Sequence, residues 1–311
     1  MRVTQGMLTE NMLRNLSASY ARLGKYQDQL STGKKINRPS DDPVVAMKGM
    51  MYRTNLTEVE QYKRNFSEAY NWIENSDAAL DQATQALHRI RELVVQASND
   101  TYEGSQRAAI AQEIQQLTNH LVSIANTKVG DKYIFNGTDT LQQPVDLNLV
   151  NQMPPSALPV SSNSNEVKIE LSKGIYIPVN VDPTKVFSYD RNFASPQPGN
   201  GLFSDLKLLE QALNNPSTSG KDLSQYLSYI DSHINNFLNA RAELGARLNR
   251  IELMESRIDQ QEVIANRMLS DNEDADIERV IMDLKTQESV HRAALGVGAR
   301  IIQPTLLDFL R

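Results

Sequence analysis

Four histidines, one cluster of carboxylates and two glycine-containing loops are the parts of this 311-residue chain that could do chemistry, so their spacing is the first thing to read. His88, His120, His233 and His291 lie far apart, and none belongs to the HExxH pattern that sets two imidazoles on one helix face for zinc. They read as helix-surface or stripe positions. The run DNEDADIERVIM, residues 271–282, has the carboxylate density of a calcium loop. Its sixth residue, however, is Asp276 where such a loop turns on glycine, and its twelfth is Met282 where a bidentate glutamate is needed. A phosphate-binding loop needs a second glycine five residues ahead of Gly33, and Asp28 stands there. In GVGARI, Gly296 and Gly298 make half a dinucleotide fingerprint, with Ile301 at the third glycine's place and no strand before it. Close helix packing explains those glycines better. Cysteine is absent, which removes thiolate catalysis, disulfides and Cys-containing metal sites, and no Gly-x-Ser-x-Gly elbow occurs. No metal or cofactor is expected, and an enzyme has no motif to rest on.

Bulk composition narrows the class further. A hydrophobic content of 40% with 23% charged residues is that of a globular protein with real cores. The net charge of -6 argues against a dedicated nucleic-acid binder, which would need an excess of clustered Lys and Arg. No run of about 18 apolar residues suggests membrane insertion, and the opening MRVTQGMLTENML lacks the apolar core of a secretory signal. Those signals alone imply the cytosol, unless export uses a route without a cleaved signal. Locally the charge is uneven. Residues 1–38 carry Arg2, Arg14, Arg22, Lys25, Lys34, Lys35 and Arg38 against Glu10 and Asp28, whereas SDNEDADIE, residues 270–278, is acidic without a base.

The elements that would position these residues are announced by heptad spacing. Tyr52, Val59, Phe66, Ile73, Leu80, Leu87 and Val94 sit seven apart, with Leu56, Tyr70, Ile90 and Ala97 beside them, which predicts one long helix. Trp72, next to Ile73, reads as packing or a surface contact. A shorter helix follows through Ile110, Ile114, Leu117, Leu121 and Ile124. The second half repeats the long pattern at Leu223, Ile230, Phe237, Leu244, Ile251 and Ile258. Two long helices from opposite halves of the chain imply an antiparallel pair, each covering the other's apolar stripe. Between them, residues 141–205 hold eight of the twelve prolines, and VKIELSKGIYIPVNV alternates as a β-hairpin turning at SKG. The expected fold is therefore mainly α with a β-rich insert, an elongated antiparallel helical rod. Its expected parts are 1–42 with 270–311, then 43–140 with 206–269, then the outer insert 141–205.

The terminal stripes are Leu13, Leu16, Tyr20, Leu23 and Leu30 at one end, and Ile277, Ile281, Leu284, Leu295, Ile302, Leu306 and Phe309 at the other. Two slim helices offer little core, so these stripes are expected to form an interface with each other and with neighbouring molecules. A joint separates them from the long pair. Gly33 can end the first helix in a left-handed conformation, Pro39 holds Arg38 extended, and Pro43 suits the first position of a new helix capped by Asp42 with Asp41 nearby. On the other arm, Ser270 and Glu273 have capping-box spacing and would restart a helix before Ile277. Lys34, Lys35 and Arg38 are expected to face Asp271, Asp274 and Asp276.

QLSTGKKINRPSDDPVVA, LHRIRELVVQASN, EIQQLTNHLVSIANTKVGDKYIFNGTDT and the ending ADIERVIMDLKTQESVHRAALGVGARIIQPTLLDFLR resemble the bacterial flagellin family, in the right order and at the right distances from the ends. The RVTQGMLTENML opening, the PSDDPV joint and the final LLDFL resemble its hook-associated members most. The resemblance implies an axial structural protein of the flagellum that joins hook to filament. It would self-associate, meet an adjoining hook-associated protein and flagellin, and leave the cell by the flagellar type III route. An export chaperone would guard the C-terminal helix, residues 277–310. A filament subunit and a cytosolic coiled-coil scaffold are the alternatives. Arg89, Leu93 and Glu113 fall where flagellins carry a patch recognised by an animal innate receptor.

Overall fold

A computed structural model describes residues 5–99, 104–151, 160–187 and 201–302. In chain order the elements are helix α1 (Gln5–Thr32), helix α2 (Pro43–Ala97), helix α3 (Gly104–Ala125), strands β1 (Lys128–Val129) and β2 (Lys132–Tyr133), and the short helix α4 (Leu147–Asn151). Strands β3 (Lys168–Ser172) and β4 (Ile175–Pro178), helices α5 (Pro183–Val186) and α6 (Leu202–Asn214), and the long helices α7 (Gly220–Glu273) and α8 (Ile277–Ile302) complete the chain. It divides into two compact units, one of Met1–Glu60 with Gln260–Arg311 and one of Gln61–Asp259.

In the Gln61–Asp259 unit the heptad positions do what their spacing predicts. Phe66, Ile73, Leu80, Leu87, Ile90 and Val94 of α2 are buried, as are Leu223, Ile230, Phe237, Leu244, Ile251 and Ile258 of α7. Removing each of the larger of these side chains from water stabilises the fold by about 1.5–3 kcal/mol. Trp72 belongs to this core and donates its indole N–H to Glu68 at 3.3 Å. Polar pairs along the seam set its direction and register. Lys63 meets Asp259 at 3.1 Å, Tyr70 donates to Glu255 at 2.7 Å, Arg241 binds both Asp77 and Asp81, and Arg91 binds Asp231 at 2.6 Å, so each advance along α2 is matched by a retreat along α7. Burial, and then the hydrogen bond to Glu255, push the Tyr70 phenol well above its ordinary pKa.

The proline-rich stretch forms the expected hairpin. β3 and β4 pair antiparallel with Ile169 opposite Ile177, and Gly174 takes the left-handed φ of 74° that the turn requires. A bulge between Glu170 and Ser172 breaks the strict alternation, so Leu171 and Ser172 are both buried. Asn65 donates to the Glu170 carbonyl at 2.7 Å and Arg247 to the Asn180 carbonyl at 2.7 Å, which seats this hairpin on the long helices. Three features go beyond the sequence reading. A tight β1–β2 turn with Gly130 at φ 61° occupies VGDKY, and α6 precedes α7. The third is a core cluster in which the Phe187 ring lies 5.4 Å from Phe135, 5.7 Å from Phe237 and 6.2 Å from Phe203.

Candidate assembly joint and apolar faces

Helix α1 ends because Gly33 adopts φ 70°, donating its N–H back to Gln29 at 2.9 Å as a left-handed C-terminal cap. α2 begins at Pro43 because the Asp42 carboxylate accepts from the N–H groups of Val44 and Val45 at 3.0 and 3.1 Å. In between, Asp41 accepts from the N–H of Arg38 at 3.0 Å, which folds the RPSD corner.

The opposing break differs from the sequence expectation. Ser270 and Glu273 form no capping box: α7 continues through both of them and ends at Glu273, and the Ser270 hydroxyl donates to Asp274. Asp276 caps the new helix instead, accepting from the Arg279 N–H at 3.2 Å. Capping-box spacing signals a start only where the preceding chain leaves helical geometry, and here α7 stays helical through Glu273.

The two breaks are knitted together. Lys35 N–H donates to the Glu273 carbonyl at 2.7 Å and Ala275 N–H to the Gly33 carbonyl at 2.8 Å, a single antiparallel bridge between Lys34 and Asp274. The Lys34 ammonium reaches Asp274 at 2.7 Å and Glu273 at 3.6 Å. Lys35 donates to the Asp271 backbone carbonyl, not to its carboxylate. Arg38 stays outside this group. Arg53 of α2, not among the cations expected at this joint, binds Glu273 at 2.6 Å. Glu273 is buried, and Gly49 makes room for it, since a Cβ there would stand 2.6 Å from Glu273 Oε1. The hydrogen bond to Asp274 holds the Lys34 ammonium above its ordinary pKa, and Lys34, then Ser270, hold the Asp274 carboxyl below its own.

α1 and α8 run antiparallel, but their seam is not the apolar stripe alone. Ser19 is fully buried and accepts from Gln287 at 2.8 Å, His291 Nδ1 lies 3.3 Å from the same hydroxyl, and Gly298 is covered by Met12, whose sulfur a Cβ would meet at 2.7 Å. Leu16, Leu23 and Leu284 are half-buried, while Leu13, Tyr20, Leu30, Ile277, Ile281 and Leu295 are exposed. Ile302 ends α8; Leu306 and Phe309 lie outside the described residues. Further exposed apolar side chains line α2, namely Val44, Met47, Met50 and Met51, and α7, namely Val263, Ile264 and Met268. The α2 group lies ahead of the heptad run that begins at Tyr52, so that periodicity gives no sign of it.

Arg89 binds Glu113 at 2.8 Å and Glu92 at 3.2 Å on the surface of the Gln61–Asp259 unit. Leu93, grouped with them above, is a core residue only 2% exposed, because it lies on the heptad side of α2. Among the described residues no group of three or more His, Asp or Glu is placed to hold a metal ion, and no helix is long and apolar enough to cross a membrane. The molecule thus presents knitted helix ends and wide apolar helix faces, the equipment of a subunit that packs against other chains.

Such a subunit has a recognisable family. Residues 3–140 match the bacterial flagellin N-terminal helical region and residues 227–310 the bacterial flagellin C-terminal helical region, and the chain belongs to the bacterial flagellin family. Within it, the chain is 27% identical to the flagellar hook-associated protein 3 of Escherichia coli strain K12, across 94% of this chain and 95% of that one. It is also 27% identical to the flagellin of Bacillus subtilis strain 168, over 81% of this chain and 80% of that one. The fold is shared with a flagellar hook-associated protein from Vibrio parahaemolyticus, with a TM-score of 0.66 and 19% identity over 75% of this chain and all of that one.

Proposed function

We propose that this chain is a structural, non-enzymatic axial protein of the bacterial flagellum that joins the hook to the filament. The observation that carries the reading is the end-to-end likeness to hook-associated protein 3 of Escherichia coli, which spans the insert as well as both helical arms. The likeness to the Bacillus subtilis flagellin is as strong per residue but shorter, which leaves a filament subunit as the second reading.

In this assignment residues 1–42 and 270–311 form an inner tube domain, 43–140 and 206–269 a rod domain, and 141–205 a variable outer part. The tube would be built from Leu13, Leu16, Tyr20, Leu23, Leu30, Ile277, Ile281, Leu284, Leu295, Ile302, Leu306 and Phe309, packed among copies of this chain, an adjoining hook-associated protein and flagellin. Export by the flagellar type III route, with a chaperone on residues 277–310, would keep those faces apart beforehand. The exposed apolar residues of α1 and α8 support this, since a free subunit gains stability by covering them.

The test is to locate the protein on hook-basal bodies isolated from cells with and without its gene. A junction protein is scarce and confined to the hook tip, whereas a filament subunit makes up the bulk of the filament. Leu16→Asp and Leu23→Asp should block incorporation at the tip while leaving the Gln61–Asp259 unit folded by circular dichroism. Normal filaments from either variant would overturn the tube assignment.

A further inference from the structure

Eight of the ten methionines, Met1, Met7, Met12, Met47, Met50, Met51, Met268 and Met282, fall in the smaller unit of Met1–Glu60 with Gln260–Arg311. Their placement is opposite to that of a core filler. Met47 is 63% exposed, Met50 61%, Met51 54% and Met282 62%. Met47 and Met51 stand one turn apart on the side of α2 away from Gly49, the residue that meets Glu273 and Asn272. Met254, in the other unit, is only 9% exposed, and Met12 is half-buried against Gly298. With no cysteine in the chain, thioethers are the side chains most open to peroxide.

We infer that Met47, Met50, Met51 and Met282 are oxidation sites, and that their conversion to sulfoxide by hydrogen peroxide keeps the subunit out of the flagellum. The second half of this inference rests on the assembly reading above. In the reaction a sulfur lone pair attacks one peroxide oxygen, the O–O bond breaks as the S–O bond forms, and the departing hydroxide takes the remaining proton as water. Sulfur loses two electrons and peroxide gains them. At Met47, Met50 and Met51 the product side chains carry a strong acceptor oxygen on a stretch of α2 that also exposes Val44, and burying that oxygen against another apolar helix leaves it without a donor. Methionine sulfoxide reductase chemistry reverses the change.

The experiment treats the full-length protein with hydrogen peroxide for graded times, maps sulfoxide by peptide mass spectrometry, and measures incorporation onto hooks from cells lacking the gene. The four named methionines should oxidise before Met254, and incorporation should fall by at least about tenfold as they do. Reductase treatment should restore it, and the M47L/M50L/M51L/M282L variant, which keeps the exposed Met7 and Met268, should lose less incorporation at the same dose. Equal rates at Met254, undiminished incorporation of fully oxidised protein, or equal loss in the leucine variant would each overturn the inference. If the leucine variant does not fold, the reductase arm still decides. Failure of untreated protein to incorporate would instead sink the junction assignment, and the sulfoxide map would then stand or fall by itself.

Discussion

At the joint, two kinds of contact do different work. Lys34 and Asp274 are each more than two-fifths exposed, so their ion pair contributes about 0–1 kcal/mol, whereas the backbone bridge beneath it fixes which residues meet. Glu273 is the buried member, and the exposed Arg53 guanidinium supplies its charge-assisted bond. The ion pair makes the joint pH-dependent in a stated direction. Because the Asp274 carboxyl is depressed in the folded state, its contribution is complete above the ordinary carboxylate range and is lost as pH falls through its folded value. Lys34 is raised, so its contribution is complete below the ordinary lysine range and is lost as pH rises through its folded value. Neutral pH therefore sits in the plateau. Amide exchange at Lys35 and Ala275, the two bridge donors, should stay protected there and speed up below about pH 4, relative to the intrinsic rate. Asp274→Asn should flatten that acid limb, and an unchanged limb would mean that Asp274 is not the group responsible.

Among the elements, the long helices owe their stability to mutual burial more than to their ends. α2 and α7 run 55 and 54 residues, and the seam between Phe66 and Val94 contains no exposed heptad residue. The connecting segments hold to that seam through aromatic contacts. Phe187, at the end of the four-residue helix α5, joins rings from the β1–β2 segment, α6 and α7. A short helix cannot hold itself together, so this ring anchors the end of the hairpin region. Phe187→Ala should cost about 3–5 kcal/mol of stability in denaturant unfolding of the full chain. Because it removes a packing element rather than a heptad residue, α2 and α7 should keep their helical signal at low denaturant. A cost below about 1 kcal/mol would mean that the rings lend no anchorage.

For the whole molecule, the two units differ in what covers them. Among the described residues, the buried apolar side chains all lie in the Gln61–Asp259 unit, Val59 and Val280 apart. In the other unit, Ser19 is the only fully buried side chain of α1 among the described residues, and large apolar residues stand exposed on α1, α2, α7 and α8. Thin cover means low local stability, because opening such a helix exposes little additional apolar surface. In dilute solution, amides of α1 and α8 should exchange orders of magnitude faster than those of α2 between Phe66 and Val94. Protection of α1 should rise on incorporation into the flagellum. Equal protection in the free protein would contradict the idea that these helices are completed by neighbours.

The heptads of α2 and α7, the turn at Gly33, the start at Pro43 and the β3–β4 hairpin were legible in the sequence, since each depends on residues a few places apart. Periodicity records which side chains need cover, and local backbone rules record where a helix must stop. Neither records who supplies the cover. Arg53 with Glu273, Met12 over Gly298, Ser19 between Gln287 and His291, and four phenylalanines around one point join residues that are up to 286 positions apart (298 − 12), and only tertiary packing decides such meetings. The same packing drew Leu93 into the core, and the second helix start falls at Asp276 rather than Ser270 because α7 runs on to Glu273, whose carbonyl and carboxylate are held by Lys35 and Arg53.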